Sequence, residues 1–178
     1  MPKRNLLLGF FVAVLSFAPA QFASAQPSEV WKVCASPADN YDEIIAFCTH
    51  IIRAGNETSA NLSIAYNNRG NALLNKKDHD GAIRDFDEAI RIDRRNAQAW
   101  TNRGETYQRK DNFEKAISDH TEAIRVDPNH KDAWFNRGIA YQNSGNRERA
   151  IADYRQALKV NPNDDDARRQ LRKLGVNE

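Results

Sequence analysis

Small and apolar residues recur along this chain on two scales. Within short stretches they fall three and four residues apart, the spacing of one face of an α-helix. Between stretches they return 34 positions later, so that segments 63–96, 97–130 and 131–164 align without a gap. Tyr66, Trp100 and Trp134 share a column, as do Gly70, Gly104 and Gly138, then Ala82, Ala116 and Ala150, then Ala89, Ala123 and Ala157. In the second segment Trp100, Gly104 and Tyr107 mark a first helix. Phe113, Ala116, Ile117, His120, Ala123 and Ile124 mark a second. Asp127-Pro128-Asn129 ends it, because proline cannot continue the helical hydrogen-bond ladder. The third segment follows the same plan and closes at Asn161-Pro162-Asn163. A fixed period of this length predicts an all-α solenoid of stacked helix pairs rather than a single globular core.

A mid-helix glycine costs about 1 kcal/mol against alanine, so its return in every segment calls for a packing reason. Gly70, Gly104 and Gly138 are expected where two helices cross, with Ala82, Ala116 and Ala150 removing bulk from the other side. Arg69, Arg103 and Arg137 form a further column, and Asp85, Asp119 and Asp153 follow each of them by 16 residues. The constant offset predicts one ion pair per segment, tying first helix to second and setting their register.

These columns resemble the tetratricopeptide repeat family. Its aromatic–glycine–tyrosine–alanine–aromatic–alanine–proline order stands as Trp100, Gly104, Tyr107, Ala116, His120, Ala123, Pro128 and as Trp134, Gly138, Tyr141, Ala150, Tyr154, Ala157, Pro162. The first copy has Tyr66, Gly70, Leu73, Ala82, Phe86 and Ala89, with Arg94 in the proline place, and the Arg column departs from the family's usual apolar residue. The resemblance implies a right-handed superhelical solenoid of antiparallel helix pairs. It also implies a scaffold for protein–protein contacts that needs no cofactor.

Both ends of the repeat array differ from its middle. Asp39-Asn40-Tyr41-Asp42-Glu43-Ile44-Ile45 aligns with Asp111-Asn112-Phe113-Glu114-Lys115-Ala116-Ile117, so 40–53 reads as a second helix whose own first helix is missing or shortened. The four residues by which the next link is longer are expected to form a loop, Gly55-Asn56-Glu57-Thr58. Cys34 and Cys48 fall within this degenerate half-repeat, 26–62, and a disulfide between them would staple the segment around Trp31 over the gap. At the other end, 165–178 reads as an amphipathic capping helix opened by an acidic run that includes Asp164, Asp165 and Asp166.

Residues 1–25 have the form of a cleaved signal peptide: Lys3 and Arg4, an apolar stretch from Leu6 to Phe17, and Ala23-Ser24-Ala25 at the cut. Export, periplasmic or secreted, is the expectation, and no stable membrane span is expected in the mature chain. Loss of Lys3 and Arg4 from 26 basic residues leaves 24, against 24 acidic ones. A mature chain of zero formal net charge has no global attraction for nucleic acid or anionic lipid.

The inner wall of such a stack is lined by first helices, and the candidate binding residues follow from the helical phase: Asn67, Asn68 and Asn71, then Thr101, Asn102 and Glu105, then Phe135, Asn136 and Ile139. Asn68, Asn102 and Asn136 recur at one height. An amide both donates and accepts, so this row suits the backbone of an extended polypeptide, as similar asparagine ladders in the family do. It suits equally a bracing role between helices. The family's two-carboxylate clamp for C-terminal tails finds its asparagines in Asn71 and Asn102, but its cationic places hold Asn67, Asp132 and Asn136. No metal-ligand set, phosphate loop or nucleophile elbow is present, so an interaction scaffold is expected and an enzyme is not. Self-association through the solenoid ends is the alternative.

Overall fold

Helix boundaries in this chain are set by short polar breaks. In the computed structural model, which describes residues 27–36 and 40–176, helices α1 (Pro27–Cys34), α2 (Tyr41–Ala54), α3 (Ser59–Asn75), α4 (His79–Ile92), α5 (Ala97–Arg109), α6 (Phe113–Val126), α7 (Lys131–Asn143), α8 (Arg147–Val160) and α9 (Asp165–Lys173) follow one another, and no strand occurs among the described residues. The expected signal peptide at 1–25 lies outside the described residues. Asn40, Thr58, Asp78, Asn96, Asn112, Asn146 and Asp164 each accept the backbone N–H three residues on. Each such cap satisfies an otherwise orphaned donor and contributes about 1 kcal/mol. The turn inside each repeat needs a left-handed residue, supplied by Lys77 (φ 65°), Asp111 (φ 56°) and Gly145 (φ 83°).

One expectation is corrected here. The loop at 55–58 is present between α2 and α3, but it is no longer than the equivalent breaks at 93–96 and 127–130, so the four additional residues do not lie in it. They lengthen α3, which has 17 residues where α5 and α7 have 13. Four residues make about one helical turn, so the insertion preserves which face meets the neighbours. The boundary drawn at 62/63 therefore falls inside a helix.

The helices pack as a helical solenoid, each against its sequence neighbours, with first helices α3, α5 and α7 also touching in succession. The glycine column faces a ring. A Cβ built on Gly70, Gly104 or Gly138 would lie 2.7 Å from Phe86, His120 or Tyr154 respectively, far inside contact distance. The closest atoms to Gly104 thus belong to His120 rather than to Ala116, which is itself fully buried. A further column, Ala65, Ala99, Ala133 and Ala167, is also fully buried, and its last member places α9 in the register of a first helix. The ring slot is matched across the pair: Gln108 contacts His120 Nε2 at 3.0 Å, the Tyr154 hydroxyl donates to Gln142 at 2.9 Å, and apolar Phe86 shares a cluster with Leu74.

The Arg–Asp pairs form in all three repeats. Arg69 donates through Nε and Nη2 to both oxygens of Asp85, Arg103 likewise to Asp119, and Arg137 to Asp153, at 2.7–2.9 Å. The third nitrogen reaches back to the preceding second helix. Nη1 of Arg69 donates to Thr49, of Arg103 to Asp87 and of Arg137 to Thr121, at 3.0, 2.6 and 3.0 Å. Each guanidinium also lies over the aromatic residue one turn before it, 4.8–5.4 Å from the ring centres of Tyr66, Trp100 and Trp134. Burial opposes the charge on Arg103, but its bonds to Asp119 and Asp87 outweigh that and hold it above its ordinary value. Burial also pushes the Asp119 carboxyl up while Arg103 pulls it down. Two short bonds in fork geometry mark the pair as ionised.

At the N-terminal end a first helix is present, with eight described residues in α1. Val30 and Cys34 pack with Ile44, Cys48 and Ile51 of α2 and with Ala65 and Ala72 of α3, and Cys34 is bonded to Cys48. Glu57 accepts from the Trp31 indole at 2.9 Å and from Asn61 at 2.7 Å, joining α1 to the start of α3. At the C-terminal end Ala167 and Leu171 of α9 are buried with Tyr154 and Ala157 of α8. No helix among the described residues is long and apolar enough to cross a membrane.

Two outcomes are expected. Gly104→Leu drives a side chain into the His120 ring and should cost several kcal/mol in chemical melts, the severe end of overpacking. The burial of His120, with smaller contributions from Arg137 and His130, lowers its pKa to about 3. The unfolded chain then binds one more proton below pH ~6.5, so stability is full above that value and falls as pH drops toward 3. His120→Phe should flatten the fall in melting temperature between pH 7 and pH 4.

Candidate functional site

A row of side chains at one helical height serves as a binding surface only where the helices leave it open. Adjacent first helices pack closely in this chain, and α3 meets α5 along that very row. Asn102 is 5% exposed and Asn67 6%, because the Asn102 amide donates to the Asn67 carbonyl at 2.9 Å across the repeat boundary. Gln98 donates to the Asn102 carbonyl at 2.8 Å, and Asn67 donates to Asn68 at 3.3 Å. Thr101 is 2% exposed and its hydroxyl donates to Ala97 O. Asn67, Thr101 and Asn102 are therefore interior braces and not groove residues. In the case of Asn102 the bracing reading of the asparagine row is the one realised.

The other candidates remain accessible. Asn68 and Asn71 are half-buried on α3, one turn apart, and Asn75 lies exposed another turn along. Asn136, Phe135 and Ile139 are half-buried on α7. The Phe135 ring sits 5.6 Å from that of Tyr154, so much of its area is spent on the third core cluster. Glu105 pairs with Arg109 at 2.6 Å on α5, and Asp132 with Lys131 at 3.0 Å. Gln108 bridges the second and third repeats, holding His120 on one side and donating to Asn136 O at 3.1 Å on the other.

A cleft of about 280 Å3 opens at the N-terminal end of this side. Asn68, Asn71 and Asn75 form one wall. Tyr41 and Ile44 of α2 and the stretch 34–36 after α1 form the other. This second wall was missed from the sequence, although the alignment of 40–53 with 112–125 had already set the phase of α2. Of the histidines, His120 is buried, His130 precedes α7, His79 begins α4 and His50 lies exposed on α2. Among the described residues no group of His, Cys, Asp and Glu is placed to hold a metal ion. The arrangement supplies hydrogen bonds and shape.

Because Asn102 fills an interface, Asn102→Ala leaves the buried Asn67 carbonyl without its donor. It should cost about 1–3 kcal/mol in denaturant melts, against the ±0.5 kcal/mol of a surface substitution.

Models of the tetratricopeptide repeat family match residues 63–96, 86–118 and 105–174, running together without a gap from 63 to 174. No curated protein is a significant match. Among solved structures, the first tetratricopeptide domain of Spaghetti (RPAP3), bound to the HSP90 peptide SRMEEVD, is similar at 28% identity and a TM-score of 0.64, over 65% of this chain and 92% of that one. The tetratricopeptide domain of Arabidopsis OM64 is similar at 27% identity and a TM-score of 0.64, over 66% of this chain and 97% of that one. The second such domain of human RPAP3, in complex with the HSP70 peptide SGPTIEEVD, is similar at 28% identity and a TM-score of 0.61, over 65% and 96%. The chain belongs to the tetratricopeptide repeat family, and it is a protein–protein interaction scaffold.

Proposed function

We propose that this chain is an exported adaptor that holds an extended segment of another protein against the inner faces of α3 and α7. The observation that carries the reading is the set of open amides, Asn68, Asn71, Asn75 and Asn136, on first helices where Asn67, Gln98, Thr101 and Asn102 are engaged within the fold. Phe135 and Ile139 offer a half-buried apolar edge beside them. The signal-like segment at 1–25 and the Cys34–Cys48 bond both favour an oxidising compartment outside the cytoplasm.

The peptides carried by the two RPAP3 domains are acidic, and this surface does not suit them. Asn67 is buried, Asp132 carries negative charge beside Lys131, and Asn136 is neutral, so the three cationic places of a carboxylate clamp are empty of cations. A carboxylate brought there would lose water and gain no ion pair. Association through the solenoid ends has less behind it, since at position 171 the capping helix carries a buried leucine where the repeats carry arginine.

Asn68→Ala, Asn71→Ala and Asn136→Ala combined should abolish capture of protein from envelope extract while leaving helicity and melting within experimental error of wild type. Undiminished capture by that triple variant would remove the inner face from the mechanism.

A further inference from the structure

The degenerate N-terminal unit does more than close the stack. We propose that the cleft between α3 and the α1–α2 unit is the seat of the bound segment, that it takes uncharged extended backbone from the interior of a partner chain, and that it exists only while Cys34 is bonded to Cys48. This deepens the reading above and rests on it.

Chemistry sets the occupant. None of the nine residues lining the cleft among the described ones carries a formal charge. A phosphate, a free carboxylate or a free ammonium group would be desolvated there without a counter-charge. The amides on α3 are not equivalent. Asn68 accepts from Asn67, which leaves its N–H groups for a ligand, and Asn75 donates to Asn71 O, which leaves its carbonyl. The Asn71 side chain makes no hydrogen bond within the described residues and offers both. Donor, donor-acceptor and acceptor thus follow one another along seven residues of helix, a rise of about 10 Å. Extended chain advances about 3.3 Å per residue, so some three residues of backbone span the row. Tyr41 and Ile44 face them with apolar surface.

The part of the opposite wall at 34–36 is tied down by the disulfide. Cys34 ends α1 and lines the cleft together with the two residues that follow it. An isolated eight-residue helix is marginal in water. Among the residues of α1 whose side chains are described, only Val30 and Cys34 are buried. A dithiol reductant would deliver two electrons and two protons, converting the bond to two thiols and itself to a cyclic disulfide. The part of the wall at 34–36 then loses its covalent tie, leaving α1 held by contacts that include Val30 and the Trp31–Glu57 bond, whereas α3 keeps its place through Arg69 and Asp85.

The test is affinity selection of random decapeptides, acetylated and amidated at their ends, on the oxidised mature protein. Expected is retention of capped peptides at least tenfold over the same pool with free carboxyl ends. Retention should fall tenfold or more after dithiothreitol and in Cys34→Ser/Cys48→Ser. Asn71→Ala, which stays folded because alanine favours helix at an accessible site, should lose it without any reduction. Equal retention by reduced and oxidised protein, undiminished retention by Asn71→Ala, or a preference for free carboxylates would each overturn the proposal. If loss occurs only with Asn136→Ala, the groove reading stands and the seat lies elsewhere. If oxidised wild type retains nothing, both fall.

Discussion

Each repeat is held by one guanidinium that belongs to three helices. Arg103 sits on α5, grips both carboxylate oxygens of Asp119 on α6 and reaches back to Asp87 on α4. Register inside a repeat and stacking between repeats are thereby set by the same atoms. Removing one partner from so buried a pair typically costs about 3–5 kcal/mol, much of it because the other charge is left uncompensated. A leucine in that column would pack, but it could not specify at once the distance to the following helix and to the preceding one. Lysine would lack the planar fork.

With the guanidiniums setting spacing, the glycine column sets depth. First and second helices approach until a ring lies on Gly70, Gly104 or Gly138, and the ring's chemistry is answered from the first helix: Leu74 near Phe86, Gln108 with His120, Gln142 with Tyr154. Gln108 passes the constraint on to α7 through Asn136 O. The polar atoms of the inner side are thus mostly absorbed by the architecture, which is why the open amides concentrate at α3, next to the α1–α2 unit.

Much of the fold was legible because repetition exposes it. A column that returns at a fixed spacing reports its own role, and the helix pairs, the Arg–Asp offset and the disulfide-bearing half-repeat could all be read that way. What a single column does not report is how close the next helix comes. Asn68, Asn102 and Asn136 look alike in sequence, yet Asn102 faces Asn67 and Gln98 while Asn68 borders a cleft, because the neighbour of α5 is α3 and the neighbour of α3 is the degenerate α1–α2 unit. The extra turn of α3 was misread for a related reason: four residues alter a link's length without revealing whether they are helical. The backward reach of each Nη1 left only a faint trace, since Thr49, Asp87 and Thr121 share no residue type.

The capping helix has a consequence for how such a protein changes length. Ala167 continues the column of Ala65, Ala99 and Ala133, so α9 docks on α8 as any first helix would. A duplicate of residues 97–130 spliced in before Ala97 would bring its own arginine, its own aspartate and an acceptor for the next arginine, and would meet surfaces already shaped for it. The array grows or shrinks by whole units while both ends stay as they are, and the reach of the molecule becomes open to tinkering without redesign of the arginine–aspartate pairs.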